Sequence, residues 1–240
     1  MRKPNIFICG PTGSGKSTSL RNLNPERTII LNCERKQLPF RGAVKFQRQL
    51  QLSRYKLTRE QSTNDKDNTL LKETFHHWLG VALKMQDADV IVIESFTSLI
   101  EQIFQYCQSV WKGYDLWREY ANEVFKVLDQ SKNTEKYVVF LGLDSITQDE
   151  NNAMYRMIKV EGNKMAGGNI EKEFVMVLHT LIGKNEDSKP TFNFLTNSDG
   201  ERHAKSPMDM LPYHMNNDLS EVIALSDAYY EGEEQPDESK

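Results

Sequence analysis

The sequence predicts an α/β fold in which a mainly parallel sheet is flanked by helices and followed by a C-terminal antiparallel hairpin. Three observations support it. A glycine-rich loop of spacing G-x-x-x-x-G-K-S, from Gly10 to Ser17, joins a strand-like run to a helix-like one. Further strand-like runs alternate with helical patterns through the middle of the chain, as a parallel sheet requires. Near the C-terminus two strand-like segments are separated only by the turn-forming stretch LIGKNEDSKP.

Each element follows from its local pattern. NIFIC is a continuous apolar run suited to a buried strand, and KSTSLRNL can follow it as a helix. RTIILNC, AVKF, DVIVIE and YVVFLGL read as the next strands. Two helices stand out by their 3.6-residue period. Phe75, Trp78, Leu79, Ala82 and Leu83 share one face; Tyr114, Trp117, Ala121, Val124, Phe125 and Leu128 share another, which assigns these aromatics to the core. Segment 50–69 is polar and weakly patterned, a mobile surface excursion. After residue 144 comes a polar, glycine-containing stretch, and then FVMVLHT and TFNFLTN, which pair as the hairpin. One domain over residues 1–228 results, with residues 229–240 as an acidic, disordered tail that lacks large apolar side chains after Tyr230.

A chain of 240 residues can build one sizeable α/β core. Its net charge of −4 excludes a uniformly basic nucleic-acid binder, so any such contact needs a local patch or several subunits. Cys9, Cys33 and Cys107 are odd in number and lack C-x-x-C spacing, and so read as reduced core residues. No signal peptide is visible, and the longest apolar runs fall well short of the roughly 20 residues that span a bilayer. A soluble, cytoplasmic protein is expected.

The loop itself is chemically explicit. Gly10, Pro11, Thr12, Gly13, Ser14 and Gly15 let successive backbone N–H groups wrap an anion at a helix start. Lys16 reaches the β- and γ-phosphates, the Ser17 hydroxyl takes one position on Mg²⁺, and Thr18 lies near the α-phosphate. ATP with Mg²⁺ is the expected cofactor pair. Carboxylates at the same sheet edge complete the set. Glu94 ends DVIVIE and can hold the metal or its water, or activate the attacking water. Glu34 follows the second strand and is the better placed to polarise the attacking water. Asp144 ends YVVFLGLD and can sense the γ-phosphate.

In this order, the phosphate loop, LNCE, VIVIESFTSL, YDLWREYANEVFKVL, YVVFLGL and VEGNKMAGGNIEKEFVMVLHT resemble the RecA-like P-loop ATPases of phages. More narrowly, with FLTNSDGERHAKSPMDML and NNDLSEVI, they resemble the phage single-strand annealing ATPases, over most of residues 4–225. The resemblance implies a RecA-like core that hydrolyses ATP, forms a homo-oligomeric ring or filament, and works on single-stranded DNA in recombination or replication. A single-strand binding protein is an implied partner, and the host cytoplasm the implied location if a phage encodes the chain. Glu94 departs from the Asp usual at its position, and the strand-end position where such ATPases carry an amide or a histidine falls within GLDS, which has neither. In such ATPases the nucleotide lies between subunits and a neighbour's cation steadies the γ-phosphate. Arg202 and Lys205, after a turn at Asp199 and Gly200, are the candidates.

DNA contacts are expected in the loop from Asn151 to Lys172, where Arg156, Lys159, Lys164 and Lys172 accompany Met154, Tyr155 and Met165. Two other readings stay open. A small-molecule kinase shares the loop, although the corresponding lid region has one arginine; a nucleotide-gated assembly module with little turnover would suit the unusual Glu94. A GTPase is disfavoured, since GNKM has methionine where the base-reading aspartate would stand.

Overall fold

The structure, a computed structural model, describes residues 1–51, 75–148, 152–162 and 170–232. An eight-stranded sheet contains β1 (Ile6–Cys9), β2 (Thr28–Asn32), β3 (Gln49–Gln51), β4 (Val90–Glu94), β5 (Tyr137–Gly142), β8 (Met176–Lys184), β9 (Pro190–Leu195) and β10 (His214–Asn216). Their spatial order is β10-β9-β8-β1-β5-β4-β2-β3. From β8 to β3 every pairing is parallel; β9 is antiparallel to both its neighbours. The expected fold class is therefore present, and the expected hairpin is β8–β9.

Alternation along the strands creates two buried layers. Phe7, Cys9, Ile91, Ile93, Phe140 and Val177 face helices α1 (Phe75–Lys84), α2 (Phe96–Val110) and α3 (Gly113–Gln130). Ile6, Ile8, Val92, Leu141 and Leu178 face the other way, toward Leu20, Met210 and α4 (Leu219–Glu231). All three cysteines are free and buried. Among the described residues, no helix is long and apolar enough to cross a membrane.

Several sequence expectations need correction. AVKF is not a strand: Gly42 turns the chain at φ +89°, Ala43–Lys45 form one 3₁₀ turn, and Val44 is 83% exposed. The third strand lies just beyond, at Gln49–Gln51. KSTSLRNL forms a six-residue 3₁₀ helix, Ser17–Asn22, rather than an α-helix. Its Ser19 hydroxyl bonds back to the Lys16 carbonyl at 2.6 Å, the local competition that makes serine a poor helix former. The polar stretch after residue 144 contains a second hairpin, β6 (Asp144–Gln148) with β7 (Met154–Ile158), in a small separate sheet.

Tyr114 and Trp117 are not core, being 70% and 41% exposed; Trp117 covers Gly162 and lies against Phe104. Helix α4 runs through Glu231, three residues into the expected tail. Residues 233–240, and nearly all of the expected excursion at 50–69, lie outside the described residues.

Candidate active site

Register brings the functional groups to one sheet edge. Cys9, the last residue of β1, is aligned with Gly142 on one side and His179 on the other. Glu94 is aligned with Asn32 of β2 and Leu141 of β5. The phosphate loop, Glu34, Glu94 and Asp144 thus leave the sheet at the same end, although sequence separates them by more than a hundred residues. Strand-end convergence is the feature that makes such edges binding sites.

Gly13 and Gly15 adopt φ of +75° and +96°, left-handed conformations that side chains disfavour and that this turn needs. The Lys16 ammonium donates to the carbonyls of Gly10 and Pro11, each at 2.8 Å, so it lies across its own loop. Burial holds it below the usual lysine pKa, while Glu94, Asp144 and Glu34 pull the other way. The Ser17 hydroxyl donates to Glu94 Oε1 at 2.7 Å. Glu94 Oε2 is buried with no hydrogen-bond partner among the described residues. Burial raises the Glu94 carboxyl to about 7, against the stabilising bond from Ser17.

Glu34 sits beside this pair in a different environment. Ser98 donates to its Oε1 at 3.1 Å and Lys36 forms an ion pair with Oε2 at 2.9 Å. Partial burial pushes its carboxyl up, but these hydrogen bonds and the Lys36 charge prevail and hold it below the usual glutamate value. Two carboxylates at one edge are therefore driven apart, one toward the proton and one away from it. The Asn32 side chain fixes the intervening loop by donating to the Lys36 carbonyl at 2.8 Å.

Asp144 begins β6 instead of ending β5, and its buried carboxylate accepts from Arg156 of β7 at 3.1 Å. It acts on Lys16 through space while held by that ion pair. Arg202 and Lys205 do not stand at a hairpin end. Their segment is laid along β7 and β8, with Arg202 bridged to Arg156 and Lys205 to Val177. The Arg202 guanidinium donates to Asp199 at 2.5 Å, and Lys205 is partly buried near Glu171 and Glu173.

This arrangement fits a nucleoside triphosphate and its metal. The orphaned Glu94 Oε2 beside the Ser17 hydroxyl offers one hard oxygen pair, the kind of partial set that Mg²⁺ completes with phosphate and water. Residues 2–206 match a family model described as AAA domain. The chain belongs to the AAA domain family.

This AAA domain is thus a nucleotide-binding P-loop domain of the ATPase type, built on a mainly parallel sheet. Among solved structures it is similar to a KaiC-like protein from Pyrococcus horikoshii, at 12% identity and a TM-score of 0.43, covering 80% of this chain and 78% of that one. It is also similar to the flagellar accessory protein FlaH of Methanocaldococcus jannaschii, at 12% identity and a TM-score of 0.36, covering 80% and 76%. An uncharacterized Pyrococcus horikoshii protein, solved with an unknown peptide, gives 12% identity and a TM-score of 0.40 over 86% of each chain. No curated protein matches the sequence.

Sequence reasoning missed several members of the site. Ser98 and Lys36 position Glu34; Thr180 and Phe192 touch the loop; His179 is buried next to Cys9, its Nε2 without a hydrogen-bond partner among the described residues. Only Ser98 had a local signal, since Ser95 and Ser98 open α2 and Ser95 caps its N-terminus. The others arrive through strand register.

Proposed function

We propose that the chain is a Mg²⁺-dependent ATPase that hydrolyses ATP, assembles as a homo-oligomer and acts on single-stranded DNA in phage-type recombination or replication. The observation that carries this reading is the meeting of Ser17 and Glu94 at the phosphate loop, beside a Glu34 held in its ionised form. Bound ATP and Mg²⁺ supply the transferable phosphoryl group and the charge that neutralises it. The loop amides and Lys16 bind the phosphates. Ser17 Oγ and Glu94 hold the metal. Glu34 orients a water and accepts its proton, for which a carboxylate ionised at neutral pH is the right species.

The β6–β7 ribbon supports the DNA part of the reading. It presents Tyr155, Arg156 and, just beyond, Lys159, with exposed Ile146 and Met154, a mixture suited to stacking bases and contacting phosphates. Of the expected DNA loop, Asn151 and residues 163–169, which include Lys164 and Met165, lie outside the described residues. A single-strand binding protein is the proposed partner. Arg202 or Lys205 of a neighbouring subunit supplies the cation at the γ-phosphate.

ATP turnover measured with and without single-stranded DNA tests this reading. Stimulation by DNA supports it. Turnover that requires a metabolite acceptor would replace it with the kinase reading, and tight ATP binding without turnover with a nucleotide-gated assembly module.

A further inference from the structure

Strand β8 is longer than the sheet needs. It pairs with β1 only over Met176–His179, yet continues to Lys184 paired with β9 down to Pro190. The excess forms a two-stranded arm that rises past the sheet edge alongside the phosphate loop. Two of its side chains reach that loop. The Thr180 hydroxyl donates to Ser14 Oγ at 2.6 Å and lies 3.2 Å from the Cys9 carbonyl oxygen, with both side chains buried. Phe192 covers Gly15, where a Cβ would meet its ring at 3.0 Å. A Cβ at Gly10 would sit 1.9 Å from Thr180 Oγ1, whereas Gly13 faces open space.

The segment after β10 grips the other end of the loop's helix and is tied to the arm. The Asn217 amide donates to the Phe192 carbonyl at 3.3 Å, Arg21 donates to the Asn217 carbonyl, and Asn22 donates to Asp218 at 2.5 Å. The helix needs such support. It is a six-residue 3₁₀ turn whose N-cap, Lys16, makes no side-chain capping bond, so little local energy fixes it.

We propose that the β8–β9 arm pre-organises the phosphate loop, with Thr180 and Phe192 as positioning residues that set nucleotide affinity. The inference rests on the nucleotide-binding reading of the loop. A loop with two left-handed glycines loses much conformational freedom when its amides converge on an anion. An arm that holds Ser14 and Gly15 beforehand removes part of that cost, which is the general route by which rigidity becomes affinity. Because this contribution is equal in the ground and transition states, its loss falls on KM more than on kcat.

Calorimetric titration with a non-hydrolysable Mg²⁺–ATP analogue tests the proposal. Thr180→Val keeps the shape but removes the hydroxyl, and is expected to raise Kd about tenfold, the scale of one lost buried hydrogen bond. Thr180→Ser restores the affinity to within about threefold on the same reasoning. Phe192→Ala weakens binding comparably, and Phe192→Leu, which keeps a large apolar group on Gly15, weakens it less and serves if the alanine variant does not fold. A Ser14→Ala, Thr180→Val double variant costs no more than Thr180→Val alone, because both remove one coupled contact. Wild-type Kd and KM in Thr180→Val and Phe192→Leu, or a Thr180→Ser variant as weak as Thr180→Val, would overturn the proposal. Failure of the unaltered chain to bind the analogue, with Lys16→Ala no different, would overturn the nucleotide reading itself and this inference with it.

Discussion

Glu94 and Glu34 are the same residue type at neighbouring strand ends, and their surroundings give them different work. Glu94 is buried and keeps one bond from Ser17, so its carboxyl is held toward the proton. Glu34 keeps Ser98 and Lys36 and stays charged. Glu34→Gln is therefore expected to bind ATP as the parent does while turning over at least ~10²-fold more slowly, the usual scale for a lost general base. Wild-type rates in that variant would move the role to Glu94. His179 gives a second residue-scale prediction. Burial lowers its pKa to about 4, so the folded chain keeps it neutral while the unfolded chain takes up a proton as pH falls through the usual histidine value. Its contribution is intact above that value and is lost progressively down to pH near 4, amounting to roughly 3 kcal/mol for a shift of this size. Denaturant titrations across that range should show the parent losing stability faster than His179→Gln; parallel curves would show that the histidine does not titrate this way. The phosphate loop, Glu34 and Glu94 were legible in the sequence because each is a local pattern at a strand end. His179, Thr180 and Phe192 were not, because their roles depend on which strand lies beside β1, and nothing near them in sequence states that.

At the scale of elements, the strands with continuous apolar runs were legible, and those without were not. β1, β2, β4 and β5 are buried on both faces and read directly as strands. β3, of sequence QLQ, is a three-residue edge strand that inherits its conformation from β2, and β6–β7 pair with each other outside the main sheet, so neither shows a burial period. Helix α2 carries a clear apolar face but follows β4 with only Ser95 between, and the strand pattern runs into it. Packing between elements is tight where β5 ends. A Cβ on Gly142 would lie 2.5 Å from Phe7 Cζ and 3.3 Å from Thr97 Oγ1, and Phe7 is itself wedged among Phe96, Phe140 and Phe174. Gly142→Ala should thus destabilise the chain by about 1–3 kcal/mol, the range for overpacking a core. A fall in the denaturant midpoint without a change in slope checks this, and an unchanged midpoint would show that the aromatic cluster can shift.

At the scale of the whole molecule, the proposed turnover needs a cation besides Lys16, because Lys36 and Arg156 at the same edge are already paired with Glu34 and Asp144. Lys16 is the cation that lies across the loop, while Glu34, Glu94 and Asp144 all place negative charge around it. Arg202 stands at the same sheet edge but is paired with Asp199 in its own chain, so serving a neighbour requires it to exchange that exposed partner for a phosphate, a cheap exchange for a surface ion pair. Replacing both Arg202 and Lys205 with alanine should then leave ATP binding to the isolated subunit intact while lowering turnover and ATP-dependent assembly together. Mixing that double variant with Lys16→Ala subunits separates a trans cation from a damaged fold, because each partner lacks a different half of the composite site. Some mixed interfaces pair an intact phosphate loop with an intact cation, and activity returns in proportion to their number. Normal turnover and assembly in the double variant would remove both residues from the mechanism. Loss of turnover with normal assembly and no recovery on mixing would instead place their effect within the subunit, where Arg202 and Lys205 tie the segment after β9 to β7 and β8.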